Sequence, residues 1–194
     1  MNKFDPTGEE AWLVSRPTLG DDHMFVVIAD KLGGTPSELY SYGPDGLPSL
    51  GSALVANDKE HATYKTDMAS WVELGNENSD ASISAAPIEA SNDAVKRAGD
   101  LISETLNDAN MPRRVGYDPV PVRGFGTQAN SNSAAYAQAA FARKIDGRDG
   151  PQSLPSGTRA PGWGQADRVL KQVTIKVRSD ILGGRTGTTR GNRD

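Results

Sequence analysis

The feature that most constrains the fold of this chain is a run of six apolar residues, Met24–Ala29, which follows directly after His23. Its continuous apolarity predicts a β-strand that is buried on both faces. A second short apolar run, Ala11–Ser15, stops at Arg16 and Pro17 and predicts another strand, because proline ends pairing within a sheet. The chain is therefore expected to fold around a buried sheet, with a histidine where the central strand begins.

Three further stretches are interpreted as strands or as the loops between them. Residues 39–42 predict a strand that forms a hairpin with Met24–Ala29, and residues 47–57 predict a loop. Residues 82–88 predict a strand, and the alternating apolar residues of 170–177 predict a terminal one.

Helical spacing indicates three helices between these strands. One is predicted from His61 to Leu74, with His61 at a solvated start, and one after Ser91, a serine in the N-cap position. The third is the alanine-rich run 134–144, followed by a loop over 145–164. The fold class is therefore predicted to be α+β, a small antiparallel sheet packed against helices.

Composition limits the possible functions. The 194 residues suffice for one domain, and no apolar stretch is long enough for a membrane span or a signal peptide. The absence of cysteine excludes disulfides and thiolate sites, and two histidines are too few for a typical metal cluster, so we expect neither metal nor cofactor. The net charge of −4 is concentrated in an acidic body, which argues against nucleic acid as a partner.

The segment Asn130–Ser133 carries the strongest chemical signal. It places two hydroxyls where a glycine-containing loop turns into the alanine-rich helix. The first amides of a helix lack internal partners, so this end stabilises an oxyanion and suits a serine nucleophile. His23 is the candidate general base. The alternative is that Asn130 or Ser133 only caps the helix, as such residues commonly do.

The opening residues 2–10, Asn-Lys-Phe-Asp-Pro-Thr-Gly-Glu-Glu, resemble the last motif of the shell of Rhs/YD-repeat proteins, which precedes a variable C-terminal toxin. The resemblance implies that residues 1–10 are a remnant of the shell linker and 11–180 a toxin domain, and 181–194 are expected to form a flexible basic tail. It also implies two partners, the parent shell and a cognate immunity protein. Such a domain is expected to be made in the cytoplasm and delivered into a target cell.

The order of a histidine strand, then Asn-Ser-Asn-Ser, then Pro-Gly-Trp is similar to that of circularly permuted papain-like hydrolases, which have cysteine at the nucleophile position. The resemblance implies that Ser131 attacks an amide or ester and that His23 takes its proton. A group on the next strand would orient the imidazole, which points to Ser41 or to Glu38. The remaining candidates are oxyanion or substrate contacts: Asn130, Gln128, Ser133 and Trp163.

Two other functions stay open. An ADP-ribosyltransferase toxin would use an early arginine and a Ser-x-Ser segment, for which Arg16 and residues 131–133 are candidates. It also needs a late glutamate, and no glutamate follows Glu104. The second alternative is a binding module without catalysis. The distance between His23 and Ser131 distinguishes that module from the hydrolase.

Overall fold

The computed structural model describes residues 9–18, 21–46, 52–76, 79–80, 82–111, 114–118, 129–159 and 162–186. In chain order the strands are β1 (Glu10–Pro17), β2 (Asp22–Ala29), β3 (Pro36–Tyr40), β4 (Tyr42–Pro44), β5 (Leu54–Ala56) and β6 (Ser84–Pro87). The helices are α1 (Ala62–Leu74), α2 (Asn92–Asn107), α3 (Ser131–Ile145) and α4 (Ala166–Thr186). Within this part of the chain no helix is long and apolar enough to span a bilayer.

The main sheet is antiparallel and has the strand order β3-β2-β1-β6. The long strands β1 and β2 pair along their whole length, from Glu10 opposite Ala29 to Pro17 opposite Asp22. The predicted hairpin is formed by β2 and β3, but its second strand is 36–40 and not 39–42, since Tyr42 begins β4, a strand of the other sheet. The predicted α+β class, with a small antiparallel sheet against helices, is confirmed.

The unbroken apolarity of β2 arises because both faces of the sheet are covered. Successive strand residues point to opposite faces, so Phe25 and Val27 enter one core while Met24 and Val26 enter the other. All four side chains are fully buried.

Helix α1 covers one face. Its Tyr64 and Trp71 pack with Trp12 and Phe25, and the rings of Trp12 and Trp71 lie 5.2 Å apart. The indole Nε1–H of Trp71 donates to the carbonyl of Gly34 at 2.6 Å, so the one polar atom of this buried ring is satisfied.

Helices α2 and α3 cover the opposite face, and α4 packs against these two helices. As predicted, Ser91 caps α2, and its hydroxyl accepts the amide of Ala94. The alanines of α3 let α2 and β2 approach closely, and all those from Ala134 to Ala139 are buried. Inside this layer Gln138 accepts a hydrogen bond from the hydroxyl of Tyr42 at 2.9 Å and donates to the carbonyl of Val95.

One error concerns residues 47–57, which were predicted to form a loop. Residues 54–56 form β5, which pairs with β4 in a small two-stranded sheet. The strand is three residues long, and Leu54 is fully buried against the α2 layer. So short a segment gives little periodicity, and its strand character comes from the partner.

A second error concerns 170–177, predicted as a strand, and the residues beyond Ile181, predicted to lack structure. Both lie in the helix α4, whose backbone continues to Thr186. Its buried residues Ala166, Val169 and Val173 follow helical spacing. The alternation of Val173, Ile175 and Val177 was misleading, since the last two are more than one-third exposed. Residues 187–194 of the predicted tail lie outside the described residues.

Candidate active site

The candidate site lies at the end of the main sheet where β1 finishes and β2 begins. Arg16 and His23 are opposite each other in the antiparallel register, with side chains on the α1 face. Helix α1 reaches this point from one side, and the first residue of α3 reaches it from the other. His23 therefore lies where the two helical layers meet.

The imidazole of His23 is hydrogen-bonded at both nitrogens. Nδ1 lies 2.9 Å from the hydroxyl oxygen of Ser131, and Nε2 lies 3.0 Å from Oδ2 of Asp67. Because an ionised carboxylate only accepts, Nε2 carries the proton and the lone pair of Nδ1 faces the serine hydroxyl. This is the tautomer that a general base needs. His23 is 7% exposed and Ser131 5%.

Asp67 supplies the acidic group that sequence reasoning missed. It is fully buried in the middle of α1, and its other oxygen accepts Nε–H of Arg16 at 2.7 Å. Burial opposes ionisation, but His23, through its charge when protonated and its hydrogen bond, and the charge of Arg16 outweigh it, so the pKa of Asp67 is lowered. One signal was available: Asp67 lies three residues after Tyr64 and four before Trp71, on the buried stripe of the helix.

Ser41 was expected to orient the imidazole, and the structure places Asp67 there instead. Ser41 is 1% exposed and accepts a hydrogen bond from Nδ2 of Asn57 at 2.9 Å. Of the groups that lower the pKa of Asp67, Ser41 contributes less than His23 and Arg16 do. The other candidate, Glu38, lies near the surface and pairs with Lys96. A serine cannot supply the negative charge that stabilises an imidazolium, and Asp67 can.

The helix start around Ser131 is held by a capping box. Asn130 is the N-cap and accepts the amide of Ser133, whose hydroxyl in turn accepts the amide of Asn130. The Ser133 hydroxyl also donates to the carbonyl of Gly162 at 2.6 Å. Gly162 has φ +88°, and a Cβ there would lie 2.7 Å from Asn130 Oδ1. The capping role considered for these residues thus applies to Asn130 and Ser133, and leaves Ser131 facing His23.

Asn132 links the serine helix to the histidine strand. Its Oδ1 accepts the amide of Met24 at 2.7 Å, and its Nδ2 donates to the carbonyl of Asp22 at 2.8 Å. These two backbone groups flank His23. Asn132 is 2% exposed and its bond to the Met24 amide is buried, so the pair of bonds fixes His23 relative to Ser131. The sequence signal for a role of Asn132 was its place in the Asn-Ser-Asn-Ser motif.

Three other residues named from the sequence remain, Gln128, Trp163 and His61. Gln128 and the side chain of Trp163 lie outside the described residues. His61 caps α1 and accepts the amide of Thr63, in agreement with a solvated helix start. Among the described residues no cluster of three or more His, Asp or Glu that could hold a metal ion is found.

The arrangement has the three groups of a catalytic triad: an alcohol, an imidazole within hydrogen-bond distance of it, and a buried carboxylate on the other ring nitrogen. The N-terminus of α3 adds the positive end of a helix dipole at the same place. Comparison of the chain with protein-family models, with curated proteins and with solved structures finds no match to any of them.

Proposed function

We propose that the protein is a hydrolase or acyltransferase acting on an amide or ester, with Ser131 as nucleophile. The observation that carries the proposal is the continuous hydrogen-bonded series from Ser131 through His23 to Asp67, with contacts of 2.9 and 3.0 Å. A module that used its serines only for capping would not need a histidine and a buried acid aligned behind one of them. Capping is already provided by Asn130 and Ser133.

The proposed reaction proceeds through an acyl-enzyme. Oγ of Ser131 attacks the carbonyl carbon while its proton passes to Nδ1 of His23, and Asp67 stabilises the imidazolium that results. The developing oxyanion is stabilised by amides at the start of α3. His23 then returns the proton to the leaving amine or alcohol as its bond to the acyl carbon breaks. Water or another acceptor, deprotonated by His23, then attacks the acyl carbon; the bond from that carbon to Oγ of Ser131 breaks, and Oγ takes the proton back from His23.

We further propose the biological setting of a toxin domain released from an Rhs-type shell and neutralised by an immunity protein. The support is the resemblance of residues 2–10 to the end of such a shell, and of the His23 strand and Asn-Ser-Asn-Ser helix to permuted papain-like hydrolases. An immunity protein that covers Ser131 would block attack on the substrate.

The mechanism is tested by covalent labelling of purified protein with a fluorescent alkyl phosphonate, which reacts with activated serines. Wild-type protein and the control Ser179→Ala, an exposed serine of α4, are expected to label equally. Ser131→Ala and His23→Ala are expected to lose labelling, and mass spectrometry should locate the adduct on Ser131. An unlabelled wild-type protein, or an adduct on another serine, contradicts the mechanism and favours a non-catalytic module.

The toxin setting is tested by expression in a susceptible bacterium. Wild-type protein is expected to reduce growth, and Ser131→Ala and His23→Ala are expected to relieve it at equal protein level. Undiminished toxicity of both variants would separate the growth effect from the hydrolase mechanism. Consumption of NAD by the purified protein would instead support the ADP-ribosyltransferase alternative.

A further inference from the structure

Arg16 has hydrogen-bonding capacity that the proposed mechanism does not use. Its Nε–H is taken by Oδ1 of Asp67 at 2.7 Å, while Oδ2 of that carboxylate is taken by His23. Arginine and carboxylate commonly pair through two parallel hydrogen bonds. Here Arg16 forms only one with Asp67, because the second carboxylate oxygen binds His23. Within the part of the chain that the structure describes, Nη1 and Nη2 of Arg16 make no hydrogen bond.

These two nitrogens are also not sealed in the core. The Arg16 side chain is 10% exposed. A few buried polar side-chain atoms of the described residues lack a hydrogen-bond partner, and the Nη atoms of Arg16 are not among them, so these atoms reach solvent. Arg143 offers an internal comparison, since its side chain is 9% exposed and both of its Nη atoms are occupied, by Glu89 and by the carbonyl of Asp149. Two arginines of similar burial therefore differ in whether the end of the guanidinium remains available.

The location of Arg16 connects this capacity to the reaction. Arg16 is the cross-strand partner of His23, and such partners have Cα atoms about 5 Å apart. Because Nε of Arg16 and Nε2 of His23 bind the same carboxylate, a group bound at the Nη atoms would lie on the side of the sheet where His23 lies. Asp67 holds the guanidinium from its Nε side, so the fork is fixed in orientation before a ligand arrives.

Resting on the proposed acyl chemistry, we propose that Arg16 binds an anionic group of the substrate, and that the substrate is an acyl compound with a carboxylate or phosphate near the scissile bond. Both groups present two oxygens that match the two Nη donors. Arg16 then has two roles, holding Asp67 through Nε and selecting the substrate through Nη1 and Nη2.

The test measures binding of small esters to the full chain carrying Ser131→Ala, which cannot consume them. The probes are monomethyl succinate and 2-acetoxyethyl phosphate as anions and dimethyl succinate as the neutral ester, titrated by calorimetry or NMR. We expect at least about tenfold tighter binding of an anion than of the diester, as charge-assisted hydrogen bonds provide. Which anion binds more tightly distinguishes a carboxylate from a phosphate substrate.

Adding Arg16→Gln should abolish the preference, Arg16→Lys should retain part of it, and Arg143→Gln should leave it unchanged. Melting curves identify folded variants; if Arg16→Gln does not fold, the same comparison is made with Arg16→Lys. Equal affinities for anionic and neutral esters in the parent, or a full preference in the folded Arg16 variant, overturns the proposal. Because binding is measured without Ser131, failure here leaves the phosphonate-labelling result intact, and failed labelling leaves this result intact.

Discussion

Asn132 shows how much of the site depends on one side chain that takes no part in chemistry. Its amide bonds to the backbone on both sides of His23. An aspartate would lose the donor to Asp22, and an alanine would lose both bonds. The contact between Ser131 and His23 spans 108 residues of sequence, so such a clamp is needed to keep the two groups in hydrogen-bond distance.

We expect Asn132→Ala to lower the free energy of unfolding by about 2–4 kcal/mol, because it leaves a buried amide and a partly buried carbonyl unpaired. Phosphonate labelling of Ser131 should also fall at temperatures where the variant is folded. Asn107 is the matched control, since it bonds to both backbone groups of Ala56 at an exposed position. Denaturant titration of Asn107→Ala should show a smaller loss, with labelling unchanged; equal effects of the two substitutions would contradict the clamp.

At the scale of elements, the sequence was sufficient to predict a strand or helix whose own residues show the pattern of that element. The strands β1 and β2 and the helices α1, α2 and α3 have uninterrupted apolar runs, caps or helical spacing. It was insufficient for β5, whose three residues are a strand only because β4 lies beside them. It was misleading for α4, where a few residues fit both a period of two and a helical period, and packing against α2 and α3 decided between them.

The close packing of α2 leads to a prediction that runs against helix propensity. A Cβ at Gly99 would lie 2.4 Å from Nε2 of Gln138 and 2.5 Å from the ring of Tyr40. We therefore expect Gly99→Ala to destabilise the protein by about 1–3 kcal/mol through overpacking, although alanine is the better helix former by about 1 kcal/mol. Thermal unfolding of this variant is compared with that of Arg97→Ala, an exposed change in the same helix. An increase in melting temperature for Gly99→Ala would show that α2 packs less tightly against Gln138 and Tyr40 than these distances indicate.

At the scale of the whole molecule, the candidate site is where separate parts of the fold meet. His23 comes from the sheet, Asp67 from the helix on one face, and Ser131 from the helix on the other. Sequence reasoning found His23 and Ser131 because each begins an element with a clear pattern. It missed Asp67 because helical spacing indicates only that this carboxylate is buried. That its partners are Arg16 of β1 and His23 of β2 follows from the packing of α1 on the sheet.

This central acid predicts a particular response to pH. The folded pKa of Asp67 lies below the ordinary value of about 3.9, so its ionised form stabilises the fold above that value and the stabilisation is lost as the pH falls through the folded pKa. We expect Asp67→Asn to lower the free energy of unfolding at neutral pH by about 3 kcal/mol, leaving Arg16 without its counter-charge.

Denaturant titrations from pH 7 to pH 2 should show that the difference in free energy of unfolding between wild type and Asp67→Asn becomes smaller as the pH falls. The exposed change Asp93→Asn should run parallel to wild type across the series. A constant gap between wild type and Asp67→Asn would mean that ionisation of Asp67 does not stabilise the fold.

The acid, the base and the alcohol come from segments separated by 44 and 108 residues, which has a consequence under the proposed setting of a delivered toxin domain. A chain emerging from the ribosome, or drawn as an extended thread through a narrow secretion pore, has none of the three within reach of another. Under the proposed chemistry it is harmless in that state. In that proposed setting, the producing cell would be at risk only after α1 and α3 have packed on the sheet, and a recipient cell would receive an inactive chain that becomes active when it refolds.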